Sequence, residues 1–277
     1  MSLASGKLVL MGEYAVVDGG QALVLALSHG VGCAVSPSAQ RQITTPTGDD
    51  RFVRAALDAV DAPAAHYLFS DRNPLPTAEK PGFGGSAAAT IAALRAGGFS
   101  GSLQALVALG IDVHRAVQGS GSGVDIAAAA LGGGCRFQSG RAEPVSLPTP
   151  LVVYAGHSAQ TGPRVQRYLA WSGRERFVAE SDALVRRFVD DPISATRGAW
   201  RLLTQMAEQA GIPYRSPIID AVVQRAEAAG GAAKPSGAGG GDCVLVWAPE
   251  PARFAAALRH DGFSVLDIVP DPPFEAG

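Results

Sequence analysis

Lys80-Pro81-Gly82-Phe83-Gly84-Gly85-Ser86-Ala87-Ala88-Ala89-Thr90 decides how the rest of the chain is read. Three glycines within positions 82–85 free the backbone to take positive φ and let its N–H groups converge. Ser86 follows, and Ala87 to Ala96 reads as one apolar, alanine-rich helix of high intrinsic propensity. A glycine loop that opens a helix aims unpaired N–H donors and the positive end of the helix dipole at one spot, which suits a phosphate. The pattern G-x-x-x-x-G-K-[ST] occurs nowhere in the chain, so this is not a Walker A loop. A tight turn packed closely on a helix would use the same glycines, and the loop alone leaves both readings open.

The 277 residues can form one large α/β or α+β domain or two intimate lobes with ample core. With 23 basic against 25 acidic residues there is no basic face for nucleic acid. An apolar content of 47% with only 6% aromatic residues implies a core of Ala, Val, Leu and Ile and excludes disorder. Cys33, Cys135 and Cys243 match no zinc spacing, and each lies in an apolar or glycine-rich run. They are expected as buried free thiols in a reducing compartment. No basic region precedes a long apolar segment at the N-terminus, and Glu13 and Asp18 interrupt the apolar run there. The expectation is therefore a soluble, cytoplasmic protein without signal peptide or membrane span.

Along the chain, Lys7 to Met11, the apolar run Ala15 to Val17, Ala22 to Leu27 and Val31 to Val35 read as four short strands of an antiparallel or mixed sheet. Lys7, beside Gly6, is either a phosphate-facing lysine or an exposed edge-strand lysine that discourages aggregation. Arg51 to Val60 and Ser102 to Val117 have helical periodicity, and His66 to Ser70 is a strand. Residues 71–80 form a proline-rich approach to the glycine loop. A second glycine loop, Gly119-Ser120-Gly121-Ser122-Gly123-Val124-Asp125, opens the helix Ile126 to Leu131. Asp125 falls in the first turn, as an ordinary dipole-favoured acid or as a carboxylate pointed at the mouth of the loop.

Gly132 to Phe137 and Leu151 to Tyr154 are strands, and residues 156–162 (Gly-His-Ser-Ala-Gln-Thr-Gly) a polar loop. From Pro163 to Gly211 the chain turns helical and charged, with Arg164, Arg167, Arg174, Arg176, Arg186 and Arg187, read first as a solvated helix face. That shift marks a second lobe starting near residue 150. Ser216 and Pro217 give an N-cap and first position for a helix to Ala229. The third glycine loop, residues 234–243 (Lys-Pro-Ser-Gly-Ala-Gly-Gly-Gly-Asp-Cys), runs into the strand Val244 to Trp247. A helix from Pro251 to Arg259 and a strand from Phe263 to Ile268 close the chain.

Three such loops, each with a hydroxyl or carboxylate attached, are hard to explain as turns. Phosphoryl transfer needs a donor cradle, a metal ligand, charge neutralisation and a group acting on the acceptor oxygen. The backbone at 82–87, the Ser86 hydroxyl, Lys7 and Asp125 supply that inventory. The five histidines lack metal-ligand spacing, and no G-x-S-x-G elbow supports a hydrolase. A Rossmann oxidoreductase is disfavoured, because no G-x-G-x-x-G follows an early strand with an acid about 20 positions on.

GKLVLMGEYAVVDGG, KPGFGGSAAAT, the SGVD segment and KPSGAGGGDC, in that order, resemble the signature motifs of the GHMP small-molecule kinases, and in detail those of phosphomevalonate kinases. The resemblance implies a two-lobed α+β fold, with a ribosomal S5-like N-terminal lobe (residues 1–150) and a ferredoxin-like C-terminal lobe (151–277). It implies ATP as donor with Mg²⁺, and a phosphomevalonate or mevalonate acceptor for a monomer or homodimer. Gly82, Phe83, Gly84, Gly85, Ser86 and Ala87 would wrap the triphosphate, with Ser86 also on Mg²⁺. Asp125 and Lys7 would be catalytic. Glu13, Tyr14, Ser122, Gly123, Ser236, Gly237, Ala238 and Gly239 would line the acceptor region. The chain departs from the pattern in two places: Gly85-Ser86 stands where the family has paired serines, and His114 where mevalonate kinases carry a second metal-binding glutamate. A non-catalytic nucleotide-binding homologue is the competing reading from another class.

Overall fold

The computed structural model describes residues 1–73, 82–156 and 161–274. Pro74 to Pro81, most of the proline-rich approach, and His157 to Gln160 of the polar loop lie outside them. The described chain is a two-lobed α+β fold with one sheet in each half. The first sheet contains β1 (Ser2–Met11), β2 (Ala22–Pro37), β3 (Gln42–Thr44), β4 (Ala65–Arg72), β5 (Gly134–Gln138) and β6 (Arg141–Pro144). Helices α1 (Arg51–Ala59), α2 (Gly85–Ala96), α3 (Leu103–Gln118) and α4 (Val124–Leu131) belong to the same half. Then follow β7 (Leu151–Tyr154), α5 (Thr161–Ala170), α6 (Arg174–Phe188), α7 (Pro192–Ala210) and α8 (Pro217–Ala228). The remaining elements are β8 (Ala232–Pro235), β9 (Cys243–Trp247), α9 (Pro251–His260) and β10 (Val265–Leu266). The second sheet has the order β10-β7-β9-β8.

β2 is the spine of the first sheet. β1 runs antiparallel along one side of it, while β5 and then β4 share the other. Ala22 to Leu27 and Val31 to Val35, read from sequence as two strands, are thus one, because the intervening Ser28-His29-Gly30 stays extended where β2 changes partner. The expected strand at Ala15 to Val17 is instead a 3₁₀ turn, Ala15–Asp18, closed by Gly19 in the left-handed region. Its apolar residues are buried by packing and not by strand pairing. The near-continuous apolar run of β1 has a similar cause, since both faces are covered. Val9 joins the core beneath α1–α4, whereas Leu8 and Leu10 join a second core with Phe177, Phe188 and Leu203 of α6 and α7. A third core lies between the far face of the second sheet and α8 and α9.

Local signals behave as their chemistry requires. Ser102 accepts from Ala105 N–H at 3.2 Å, and Ser216 caps α8 ahead of Pro217. All three cysteines are buried, and burial pushes Cys33 up to about 11 and Cys135 up to about 12. The arginines of α6 are mostly solvated, as in the exposed Arg176–Glu180 pair, but Arg174 reaches Asp18 of the first half at 2.9 Å. Residues past β10 also return to the first sheet: Ser28 N–H donates to Val269 O and Asp271 N–H to Ala26 O. Among the described residues no helix is long and apolar enough to cross a membrane.

Candidate active site

Lys7 sits just past an irregularity in β1, where the pairing with β2 shifts between Ala4 and Gly6. Its N–H donates to Phe83 O at 3.0 Å, which ties the strand to the first glycine loop. Only glycine fits at position 6, because a Cβ there would lie 2.0 Å from His29 O and 3.2 Å from Phe83 O. The Lys7 ammonium lies 3.6 Å from Asp125 Oδ2, in the first turn of α4. Lys7 is nearly buried, so it is not the exposed edge lysine that the sequence also allowed.

Gly84 caps α2 with φ of 73° and covers this pair. A Cβ on it would stand 3.1 Å from Lys7 Cγ and 3.4 Å from Asp125 Oδ2. Gly84→Ala is therefore expected to cost about 1–2 kcal/mol in backbone strain. The displaced ion pair is expected to lower kcat by about tenfold or more, since ångström misplacements cost up to about a hundredfold. Steady-state kinetics beside urea unfolding check both, and unchanged kcat would show that the pair tolerates the methyl group.

Lys7 and Asp125 open onto a cavity of about 160 Å³ that Glu13, Tyr14, Ser122, Gly123, Gly237 and Ala238 also line. Stretches read separately along the sequence thus meet in one place. Gly85 and Ser86 line a different cavity, of about 150 Å³, with Phe52 and Phe69. Between the two cavities, Ser86 Oγ lies 3.0 Å from Nε2 of His114, whose ring stacks on Phe52. Burial lowers the His114 pKa and outweighs the pull of Asp125, leaving a neutral imidazole at pH 7. Of the rest of the loop, Gly82 packs against Asp242, where a Cβ would meet the carboxylate carbon at 2.5 Å. Phe83 and Ala87 are buried in core, so they can face a ligand only through their backbone.

The third loop divides in a way the sequence did not show. Gly237 and Ala238 face the cavity, but Ser236 does not line it. Its hydroxyl accepts from Val9 N–H at 3.1 Å and lies 3.2 Å from Val9 O, so it fastens the loop to β1. Gly239 also looks away from the cavity, since a Cβ there would fall 2.0 Å from the Tyr214 ring. Tyr14 donates its hydroxyl to Ala238 O at 2.7 Å, its φ of 63° held by that bond and by the ring of Tyr168. Burial pushes the Tyr14 hydroxyl well above the ordinary tyrosine range.

Two further residues stand beside the site: Lys234, read from sequence only as the start of the third glycine loop, and Arg164, which with Arg167, just past the polar loop, is the sequence's candidate for holding an acceptor phosphate. Lys234 is fully buried in β8 and pairs with Glu13, and its only signal was a lone lysine inside Gly-Ala-Ala-Lys-Pro. Nη1 of Arg164, beside Gly240, is buried without a hydrogen-bond partner among the described residues. Arg167, by contrast, is taken up by Gly211 O. Among the described residues no group of three or more His, Cys, Asp or Glu side chains could enclose a metal. The site can hold an anionic ligand at the start of α2, neutralise charge through Lys7, and take a proton on Asp125.

Residues 195–261 match the family model "GHMP kinases C terminal". A mevalonate kinase of Archaeoglobus fulgidus is 30% identical over 262 residues, covering 87% of this chain and 90% of that protein. A phosphomevalonate kinase of Streptomyces sp. is 28% identical over 329 residues, covering 87% and 88%. The fold is also that of Streptococcus pneumoniae phosphomevalonate kinase, solved with phosphomevalonate and AMPPNP, at a TM-score of 0.81, 17% identity and coverage of 96% and 98%. Motif order, fold and relatives agree: the chain belongs to the GHMP kinases.

Proposed function

We propose that the protein transfers the γ-phosphoryl group of ATP to phosphomevalonate, giving diphosphomevalonate, in a cleft between lobes 1–150 and 151–277. It does so in the cytoplasm, as a monomer or homodimer. The observation that carries this reading is the Lys7–Asp125 pair, 3.6 Å apart, at the wall of a cavity and under Gly84 at the start of α2. The aromatic cavity beside Ser86 suits a nucleoside, and the phosphates would then run over Gly82–Ala87 toward Lys7. Asp125 orients the acceptor phosphate and, where that phosphate arrives as its monoanion, takes its proton, as one phosphate oxygen bonds to the transferred phosphorus and the bond to ADP breaks. Lys7 offsets the charge that gathers on the transferring group.

Magnesium, bound mainly by phosphate oxygens and water, needs only one or two protein ligands. Ser86 Oγ, at the start of α2, fits that small demand, and a bound ion would supply further charge neutralisation at the phosphates. Arg164 is the cation we assign to the phosphate of the acceptor, because its buried Nη1 lacks a partner among the described residues and its neighbours Gly162 and Val165 line the cavity.

A coupled ADP-release assay over phosphomevalonate, mevalonate, homoserine and sugars tests the reading. Turnover of phosphomevalonate is expected. Turnover of mevalonate alone would make the protein a mevalonate kinase, the activity named for the Archaeoglobus relative. ATP binding with no ADP release from any acceptor would leave a nucleotide-binding homologue.

A further inference from the structure

His114 stands where the two cavities meet. It lines the cavity of Lys7 and Asp125, while its partners Ser86 and Phe52 line the other. Its Nε2 lies 3.0 Å from Ser86 Oγ, and its ring stacks on Phe52 with centroids 4.9 Å apart. The sequence builds this junction into α3 through a small residue one turn earlier on the same face. A Cβ on Gly110 would stand 2.8 Å from Ile91 Cδ1 of α2 and 2.9 Å from Ile126 Cγ2 of α4. Glycine there lets α3 settle closely on both helices, and His114 then reaches the start of α2.

A serine hydroxyl rotates among staggered positions that aim its lone pairs and its proton in different directions. The backbone of Ser86 is already tied, since the Thr90 hydroxyl donates to Ser86 O at 2.9 Å. What remains to be set is the side-chain torsion. Among the described residues the imidazole is the hydrogen-bond partner of Ser86 Oγ, and Phe52 covers the face of that ring so that it does not swing away. Packing alone would be served by an apolar side chain, which has no polar atoms to satisfy. The hydrogen bond is therefore the reason for an imidazole at this place.

We propose that His114 is a positioning residue for phosphoryl transfer: its Nε2 fixes the Ser86 hydroxyl at the start of α2, and so holds the phosphates in register with the acceptor on the other side of the ring. This rests on the kinase reading given above and holds for either acceptor. Either ring tautomer serves, because the hydroxyl can donate to Nε2 or accept from Nε2–H.

The test is a set of substitutions read by kcat and by nucleotide affinity. His114→Leu is expected to lower kcat by about tenfold to a hundredfold, the scale of an ångström misplacement at a reacting centre. The Kd of AMPPNP should stay within about threefold of wild type, since backbone N–H groups at the helix start carry most of the phosphate grip. His114→Gln should recover kcat to within about threefold of wild type, because its amide reaches the place of Nε2 and offers a donor or an acceptor there. His114→Asn stops short of that place and should lose as much as His114→Leu, which it replaces should that variant not fold. A histidine that merely fills space would not be rescued by the longer amide alone. In a double-mutant cycle, adding His114→Leu to Ser86→Ala should cost less than about threefold more, as both act through one hydroxyl. Losses that multiply in the cycle would overturn the proposal, as would wild-type kcat in His114→Leu or Ser86→Ala, or a folded His114→Gln that stays as slow as His114→Leu. Absence of ADP release from wild type with any acceptor would remove the kinase reading and this role together, whereas ADP release that His114→Leu leaves unchanged removes the positioning role alone.

Discussion

Asp125→Asn is expected to retain ATP binding and to lose about a hundredfold to ten-thousandfold in kcat, the usual contribution of a positioned proton acceptor. The substitution is nearly isosteric, and Asp125 sits on the first turn of an eight-residue helix whose burial comes from Val124, Ile126 and the alanines behind them. The fold should therefore survive, and a change in stability should not mask the kinetic effect. The amide still faces Lys7 but cannot take a proton, and the lysine charge stays uncompensated. Single-turnover kinetics with saturating ATP and acceptor, beside a titration of nucleotide binding, separate the two quantities. Lys7→Met is the companion: if the ammonium acts on charge that develops in the transition state, kcat falls further than ATP affinity. Unchanged turnover in Asp125→Asn would mean that the residue is an ordinary acid at a helix start.

The largest stability loss among unpaired substitutions outside the site is expected at Asp271. The carboxylate is almost fully buried and takes both Arg72 nitrogens, at 2.6 and 3.0 Å, together with the Ser5 hydroxyl at 2.6 Å. The backbone of the same residue bonds Ala26 O and Gly133 N–H. One residue thus fastens the end of the described chain, through its side chain to β1 and β4 and through its backbone to β2 and the turn before β5. Asp271→Ala leaves a guanidinium partly buried without its partner, which costs about 3–5 kcal/mol when a buried pair is broken. Arg72 keeps some exposure to water, so the lower end of that range is expected. Urea unfolding should show a lower midpoint with an unchanged slope. Removing both partners in Arg72→Met/Asp271→Leu should recover much of the loss. A midpoint equal to wild type in Asp271→Ala would show that the return of the chain is held by its backbone alone.

How much of the site the sequence displayed depends on the range of the interaction. Glycine at 84 and 123 was readable because each ends a loop and begins a helix, and both take positive φ there. The place of Asp125 in the first turn followed from the same local rule, as did the caps at Ser102 and Ser216. The 3₁₀ turn at Ala15–Asp18 was not readable, because a short apolar run looks the same whether buried as a strand or as a turn. The contacts of Ser236 and Gly239 were hidden from the sequence for a related reason. Their residue types suit a ligand loop, yet one is used by Val9 and the other by Tyr214, partners supplied by distant parts of the chain.

By itself, then, the order of residues determined where chain direction changes, which segments are helical, and which loops carry hydroxyl, carboxylate and ammonium groups. These follow from backbone sterics and near-neighbour hydrogen bonds that any few residues contain in full. Only the tertiary structure decided that Lys7 meets Asp125, that Glu13 is held by Lys234, and that Asp271 closes on Arg72. Such pairs depend on which faces of β1, α4 and β8 are buried together. That choice is made by the packing of whole elements, since a charge can be held out of water only where its partner arrives with it.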